Sequence, residues 1–296
     1  MKNKVFLSYI ADIVREEFEK KAPLVYEYRP TKGDMTTLEG ECMKSSAFDQ
    51  LGARLYMWDN YVKGKARIEA RRCEYGIMIV MLLPGQFATD VPWELWARLF
   101  RMFGGGVASH GFRVFLCAHP SQRLFPENEY RIQPANINGG YTYPCQKDTI
   151  VIYRAEDATR VLIHELFHAS CSDRHEKGID WVEAETEAWA ELIYCAVMAE
   201  GRMNRFREMI QKQSVWMDGQ NTKIRRHHIR PYSMEFPWRY TIGKQIIWEK
   251  WGIFDVSNER YAPALQRNMS RSLRLTVPPN IATKRLFGVR GNSTMV

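Results

Sequence analysis

The feature that most constrains this chain is an HExxH motif at residues 164–168. In an α-helix, side chains four residues apart lie one above the other, so His164 and His168 would share one face. The apolar residues around the motif predict such a helix over residues 155–171. Both imidazoles would then reach one Zn²⁺, and Glu165 would lie beside the metal, where it can accept a proton from a metal-bound water.

A zinc site of this kind needs a third protein ligand and one open position. Glu187 follows His168 after 18 intervening residues and falls within a second predicted helix, residues 181–200. Two antiparallel helices joined by a short loop would bring Glu187 to the two histidines. The sequence therefore predicts a Zn²⁺ site formed by His164, His168 and Glu187.

Other side chains near the motif compete for the third ligand position. Glu183 shares a helical face with Glu187, whereas Glu185 points away from it and is expected to be solvated. Asp173 and His175 lie in the loop and would bind only if the loop folded back. Without a metal, the two histidines would be ordinary helix residues, and burying them unpaired would cost free energy.

The segment from about residue 113 to residue 191 resembles the gluzincin group of zinc metallopeptidases, which includes thermolysin, neprilysin and the aminopeptidase N family. The resemblance implies a zincin core, in which a carboxylate on the helix after the motif completes the metal site. In several relatives an acidic residue four positions further on holds a ligand histidine. Glu191 matches that position, with Glu where the family usually has Asp. Such an acid fixes the tautomer of the histidine and raises its basicity.

The resemblance also assigns a role to the strands before the motif. They would belong to a zincin half-domain whose edge strand holds an extended peptide, and residues 138–142 are the candidate for that edge. The chain lacks a GAMEN-like motif, with which aminopeptidases bind the amino terminus of a substrate, so an endopeptidase is favoured. The metzincin pattern HExxHxxGxxH does not fit, because Cys171 and Arg174 occupy its Gly and His positions.

The reaction that the resemblance implies is hydrolysis of a peptide bond, with Glu165 as the general base. An oxyanion donor, Tyr or His, is expected further along the chain. The candidates are His227, His228, Tyr232 and Tyr240. Of these, Tyr240 and His228 join Glu165 in the predicted catalytic set.

The net charge of +8 is unevenly distributed along the chain. Residues 202–296 contain 18 basic and 6 acidic side chains, so the excess positive charge lies in this basic C-terminal region. Its densest cluster, residues 223–230, would suit an acidic partner or nucleic acid, although such runs are more often solvated connectors. The second hypothesis is therefore a structural or assembly protein, for example virion-associated, with a zincin-like metal site that is either purely structural or vestigial and a basic C-terminal docking region.

An apolar content of 45% excludes a disordered chain, and the patterning predicts the α+β class. The expected architecture is a zincin-like core, with a small mixed sheet and the HExxH helix, flanked by N-terminal helices and a mostly helical basic C-terminal region. Three regions are predicted: a mainly helical N-terminal region at residues 1–106, the catalytic core at residues 107–201, and the basic C-terminal region at residues 202–296.

Local patterns add expectations for individual elements. Four strands are predicted, at residues 75–83, 113–118, 138–144 and 149–153. A loop is expected at residues 29–47, a helix at residues 47–72, another helix at residues 203–217 and a connector at residues 218–237.

No apolar run reaches the roughly 18 residues that a membrane span needs. Charged residues interrupt the N-terminal apolar segment too soon for a signal peptide. The six cysteines contain no CxxC pair and are expected to be free thiols in a reducing compartment. The chain is thus expected to be intracellular and cytoplasmic. An HExxH core inside otherwise unfamiliar sequence also resembles proteins of large DNA viruses, which adds the virion to the expected locations.

Overall fold

The computed structural model of this chain describes residues 3–104, 111–127, 131–173, 178–227, 236–257 and 271–278. The chain divides into two compact units, each assembled from segments that are distant in sequence. The helical unit comprises Met1–Lys20, Gln122–Ile137 and Asp173–Pro278, and the sheet unit comprises Lys21–Ser121, Asn138–Ser172 and Pro279–Val296. The predicted boundaries after residues 106 and 201 stay a prediction.

The strands of the described residues are β1 (Tyr26–Glu27), β2 (Arg67–Cys73), β3 (Gly76–Leu82), β4 (Phe112–Cys117), β5 (Gly140–Thr142) and β6 (Ile150–Ile152). They form one sheet in the order β1-β2-β3-β4-β6-β5. β3, β4 and β6 are parallel to one another, whereas β1, β2 and β5 pair antiparallel with their neighbours. The four predicted strands correspond to β3, β4, β5 and β6, and the predicted α+β class with a small mixed sheet is confirmed.

The helices of the described residues are α1 (Lys4–Glu19), α2 (Lys32–Met43), α3 (Ala53–Val62), α4 (Trp93–Met102), α5 (Pro134–Ile137), α6 (Ala158–Ala169), α7 (Ile179–Met198), α8 (Met203–His227), α9 (Phe236–Tyr240) and α10 (Ile242–Lys250). The two helices predicted around the HExxH motif and Glu187 correspond to α6 and α7. Both predictions are confirmed to within a few residues at each end, the usual uncertainty of helix boundaries.

Two predictions are wrong in the segment before β3. Instead of a loop, α2 forms, because Thr31 and Asp34 make a reciprocal capping box at its N-terminus. The helix predicted over residues 47–72 is interrupted, because Gly64 adopts a left-handed conformation (φ +67°) just after α3. The chain then enters β2, which pairs antiparallel with β3 along its whole length.

The sheet unit has helices on both faces of its sheet. Successive side chains of a strand point to opposite faces, so Gly140 and Tyr141 of β5 mark the two sides. Gly140 lies against Val161 of α6. Tyr141 packs on a core cluster that includes Leu38 of α2 and Met57 of α3. β5, which is part of the predicted segment 138–142, ends the strand order of the described residues. The predicted role of that segment in holding a substrate stays a prediction.

In the helical unit, α7 packs against α1, α8, α9 and α10. Aromatic rings contribute to this packing: Trp189 of α7 lies 5.6 Å from the ring of Phe6 and 4.7 Å from that of Trp251, between ring centroids. None of the helices in the described ranges combines the length and the apolar character that crossing a membrane requires.

The basic cluster at residues 223–230 begins on α8. Because this helix continues to His227, the connector predicted from residue 218 is wrong over its first ten positions. Lys223 places its Nζ 4.0 Å from the centroid of the Phe125 ring, while Arg225 and Arg226 are exposed. The remainder of the cluster lies outside the described residues, and a partner for it stays a prediction.

The prediction of six free thiols is wrong, because Cys145 and Cys171 form a disulfide with their Cα atoms 4.7 Å apart. Spacing gave no signal for this pair, which is 26 residues apart in sequence. The loop after β5 and the end of α6 bring the two sulfurs together. The other four cysteines are free and buried.

Candidate metal centre

The HExxH motif lies on α6, where its apolar neighbours determine which way the helix faces. Leu162 and Leu166 are fully buried and pack the helix into the sheet unit. His164 and Glu165 are also buried, and His168 is half-buried near the C-terminal end of the helix. Burial of an imidazole and a carboxylate on one helix is costly unless each has a polar partner or a metal.

The two imidazoles face each other one helical turn apart. Their Nε2 atoms are 3.0 Å apart, and their ring centroids are separated by 4.7 Å. Two nitrogens that bind one tetrahedral Zn²⁺ at about 2.1 Å would be about 3.4 Å apart, so a small opening of the rings accommodates the ion. The same distance also fits a hydrogen bond in which one neutral imidazole donates to the other.

Glu165 lies next to β5. A Cβ atom placed on Gly140 would lie 3.2 Å from Oε1 of Glu165 and only 2.6 Å from Cγ1 of Val161. The absence of a side chain at Gly140 therefore lets the strand approach α6 closely. It leaves the carboxylate of Glu165 beside the backbone of the edge strand.

Glu183, the competing carboxylate, lies on α7 and is half-buried. Its role as a third ligand stays a prediction. Two imidazoles and a carboxylate are a donor set that Zn²⁺ favours at a catalytic site.

The predicted third ligand, Glu187, is buried one turn further along α7 than Glu183. Residues at i and i+4 share one helical face, so Glu183 and Glu187 are neighbouring carboxylates on the same face. The role of Glu187 as the ligand stays a prediction. Of the competing residues, Asp173 and Glu185 are half-buried, and His175 lies outside the described residues.

Glu191, the next acid on this face, is fully buried within the helical unit. Its Oε2 lies 3.2 Å from Nζ of Lys244, and its Oε1 accepts a hydrogen bond of 2.6 Å from Thr276. A buried ion pair needs such additional hydrogen bonds, because both charges have lost their hydration. The predicted contact of Glu191 with a ligand histidine stays a prediction.

Tyr240 is a predicted oxyanion donor whose side chain the structure describes. It lies on α9 and is buried, with its ring centroid 5.1 Å from that of Phe236. His228 and Tyr232 lie outside the described residues, as does the side chain of His227. The assignment of Tyr240 and His228 to the catalytic set stays a prediction.

The C-terminal end of α6 is fixed through the carbonyl oxygen of His168. This oxygen accepts hydrogen bonds from the backbone N–H groups of Cys145, at 2.9 Å, and Cys171, at 3.2 Å. The same two cysteines form the disulfide. The covalent link and the hydrogen bonds therefore restrain the backbone of a candidate ligand.

Sequence reasoning missed a polar cluster on the face of β5 opposite α6. Tyr141 donates a hydrogen bond of 2.6 Å to Glu41 of α2. Burial alone would raise the pKa of Glu41, but hydrogen bonds from Tyr141 and Lys44 outweigh burial and hold that pKa below its ordinary value. Burial and the bond to Glu41 raise the pKa of Tyr141. The sequence carried no signal for the cluster, because α2 itself looked like a loop.

Comparison of the chain with protein-family models, curated proteins and solved structures found no match. Any function is therefore inferred from the residues of this chain and their geometry.

Proposed function

We propose that this protein is a zinc-dependent metallopeptidase that hydrolyses internal peptide bonds. The observation that supports it best is the 3.0 Å separation of the His164 and His168 Nε2 atoms on one buried helix face. Glu165 lies on the same helix, and its carboxylate is beside the edge strand β5. These features supply a pair of metal ligands, a base and a strand for an extended substrate.

The zinc ligands in this proposal are His164, His168 and a carboxylate of α7. The HExxH spacing selects Glu187, and Glu183 shares its helical face. Either choice gives three protein ligands and leaves one position for water, as catalytic zinc sites require. The gluzincin resemblance favours Glu187 and adds Glu191 as a supporting acid.

Bound Zn²⁺ supplies a Lewis acid that polarises the scissile carbonyl and lowers the pKa of its bound water. Glu165 accepts the proton of the attacking water and passes it to the departing amine. β5 aligns the substrate backbone by adding it to the edge that this strand forms among the described residues. The burial of Glu165 shields this proton transfer from bulk solvent.

The test is the isosteric variant Glu165→Gln, which keeps the shape of the side chain and removes the base. We expect it to retain zinc and to lose peptide hydrolysis by at least about 100-fold, because general-base catalysis contributes about 10²–10⁴-fold. A peptide-library digest and metal analysis measure the two properties. Glu185→Gln, a half-buried acid on α7, is the matched control and should cleave like the parent. Equal cleavage by Glu165→Gln and the parent would rule out the assigned base.

A further inference from the structure

Two tyrosines, two residues apart in the chain, make hydrogen bonds that hold β5 on its face opposite α6. Tyr141 lies within the strand, and Tyr143 follows it by two residues, so both side chains point to the same side. The Tyr141 hydroxyl donates to Oε2 of Glu41 at 2.6 Å. The Tyr143 hydroxyl donates to Oε1 of Glu41 at 3.2 Å and accepts from Nζ of Lys44 at 2.6 Å. One carboxylate thus anchors both tyrosines.

Arg54 completes this anchor from α3. Its Nη1 donates to the Tyr141 hydroxyl at 2.6 Å and to the backbone carbonyl of Glu41. Its Nη2 donates to the carbonyl of Lys44 at 2.8 Å, and its Nε pairs with Asp49 at 3.0 Å. The guanidinium is almost completely buried, so its hydrogen bonds bind the end of α2 and β5 together.

The anchor matters because β5 is short. Its three residues pair with β6 on one side, and no other strand of the described residues pairs with it. A three-residue strand with one neighbour has few backbone hydrogen bonds to resist fraying. The side-chain contacts of Tyr141 and Tyr143 with Glu41 therefore add to the pairing with β6 and the packing on α6 in fixing the strand.

We propose that Glu41, Tyr141 and Arg54 are positioning residues that hold the edge strand of the described residues, β5, in register with Glu165 for an extended peptide substrate. The inference rests on the proposed peptidase function. Tyr141 is one residue from Gly140, whose backbone lies beside the Glu165 carboxylate on the other face. A shift of β5 away from α2 would displace the substrate backbone from the base without touching the histidine pair.

The test compares two variants that make the same chemical change on the same unit. Tyr141→Phe removes the anchoring hydroxyl and keeps the ring. Tyr28→Phe is the control, because Tyr28 also donates a 2.6 Å hydrogen bond to a carboxylate of α2, that of Asp34, at the opposite end of the helix. The substrates are an octapeptide long enough to run along β5 and a blocked dipeptide amide that is too short to do so.

For Tyr141→Phe we expect KM for the octapeptide to rise about fivefold or more, with kcat changed less than twofold and the dipeptide kinetics and zinc content unchanged. Backbone hydrogen exchange in residues 139–143 should become at least about threefold faster, and this readout does not require turnover. Tyr28→Phe should match the parent in both measurements.

Unchanged KM and unchanged exchange in Tyr141→Phe would overturn the inference while leaving the peptidase proposal intact. An equal loss of kcat on both substrates would overturn it as well, because a misplaced strand should affect only the long substrate. A parent that binds no zinc and cleaves neither peptide would overturn the proposed function together with the substrate role of β5. Failure of the positioning role and failure of the peptidase function are distinguishable, because only the latter is seen in the parent protein.

Discussion

Gly140 is the residue at which β5 comes against α6. A methyl group there would lie 2.6 Å from Cγ1 of Val161 and 3.0 Å from the carbonyl oxygen of Val151, distances at which atoms overlap. The strand or the helix must move to admit it, and α6 carries the motif. Because Gly140 has no side chain, β5 can lie close to α6, and Glu165 therefore lies close to the sheet edge.

We expect Gly140→Ala to lower the free energy of unfolding by about 1–3 kcal/mol, the usual cost of overpacking. Gly40→Ala is the matched control, because an added Cβ there meets no atom within 4 Å and α2 gains helix propensity. The control should be as stable as the parent or more stable by about 0.5–1 kcal/mol. Urea unfolding measures both, and a Gly140→Ala variant as stable as the parent would contradict the close approach.

The sequence predicted the candidate site residues that lie on a single helix. It missed the contacts that form between two separate elements. His164, Glu165 and His168 follow from helical periodicity alone. The contacts of Glu41 with Tyr141 join residues 100 positions apart. No local pattern encodes such a pair, because folding brings it together through packing of α2 on the sheet.

Among the elements, α6 carries the proposed chemistry and is fixed at its C-terminal end by the Cys145–Cys171 disulfide. The link joins the end of this helix to the loop that follows β5. It therefore restrains the two elements that the proposed reaction needs side by side. A crosslink of this kind stabilises a fold mainly by restricting the unfolded chain.

We expect the double variant Cys145→Ser/Cys171→Ser to lower the free energy of unfolding by about 2–4 kcal/mol, a typical value for a native disulfide. It should also bind zinc more weakly, because the His168 backbone loses a restraint. Reduction of the parent with tris(2-carboxyethyl)phosphine, a reductant without thiol groups that would compete for zinc, should reproduce both effects, whereas the same reagent should not change the double variant. If the parent has the same stability before and after reduction, the disulfide does not contribute to the fold.

The elements that sequence patterns placed correctly have strong local signals. β3, β4 and β6 are apolar strands, and α7 has buried residues at helical spacing. β2 was missed because four of its seven residues are charged. α2 was missed because Gly33 and Gly40 weaken its helical pattern, although the Thr31–Asp34 capping box stabilises its start.

The distribution of charge along the sequence and the two compact units of the structure divide the chain at different residues. The sequence places the excess positive charge after residue 201, whereas the helical unit also includes the N-terminal segment Met1–Lys20. Consecutive regions are the natural expectation from a sequence, because composition is read along the chain. Compact units are set by contacts between distant segments, so their interleaving could not be predicted in this way.

The central claim is that His164 and His168 bind one zinc ion together with a carboxylate of α7. Zinc titration followed by X-ray absorption spectroscopy tests it most directly. We predict one zinc per chain, with two imidazole nitrogens at about 2.0–2.1 Å and oxygen ligands completing the coordination. His164→Ala and His168→Ala should each bind zinc far more weakly, and comparison of Glu183→Ala with Glu187→Ala should identify the third ligand. A parent that binds no zinc, or a His164→Ala variant that binds it as tightly as the parent, would contradict the claim.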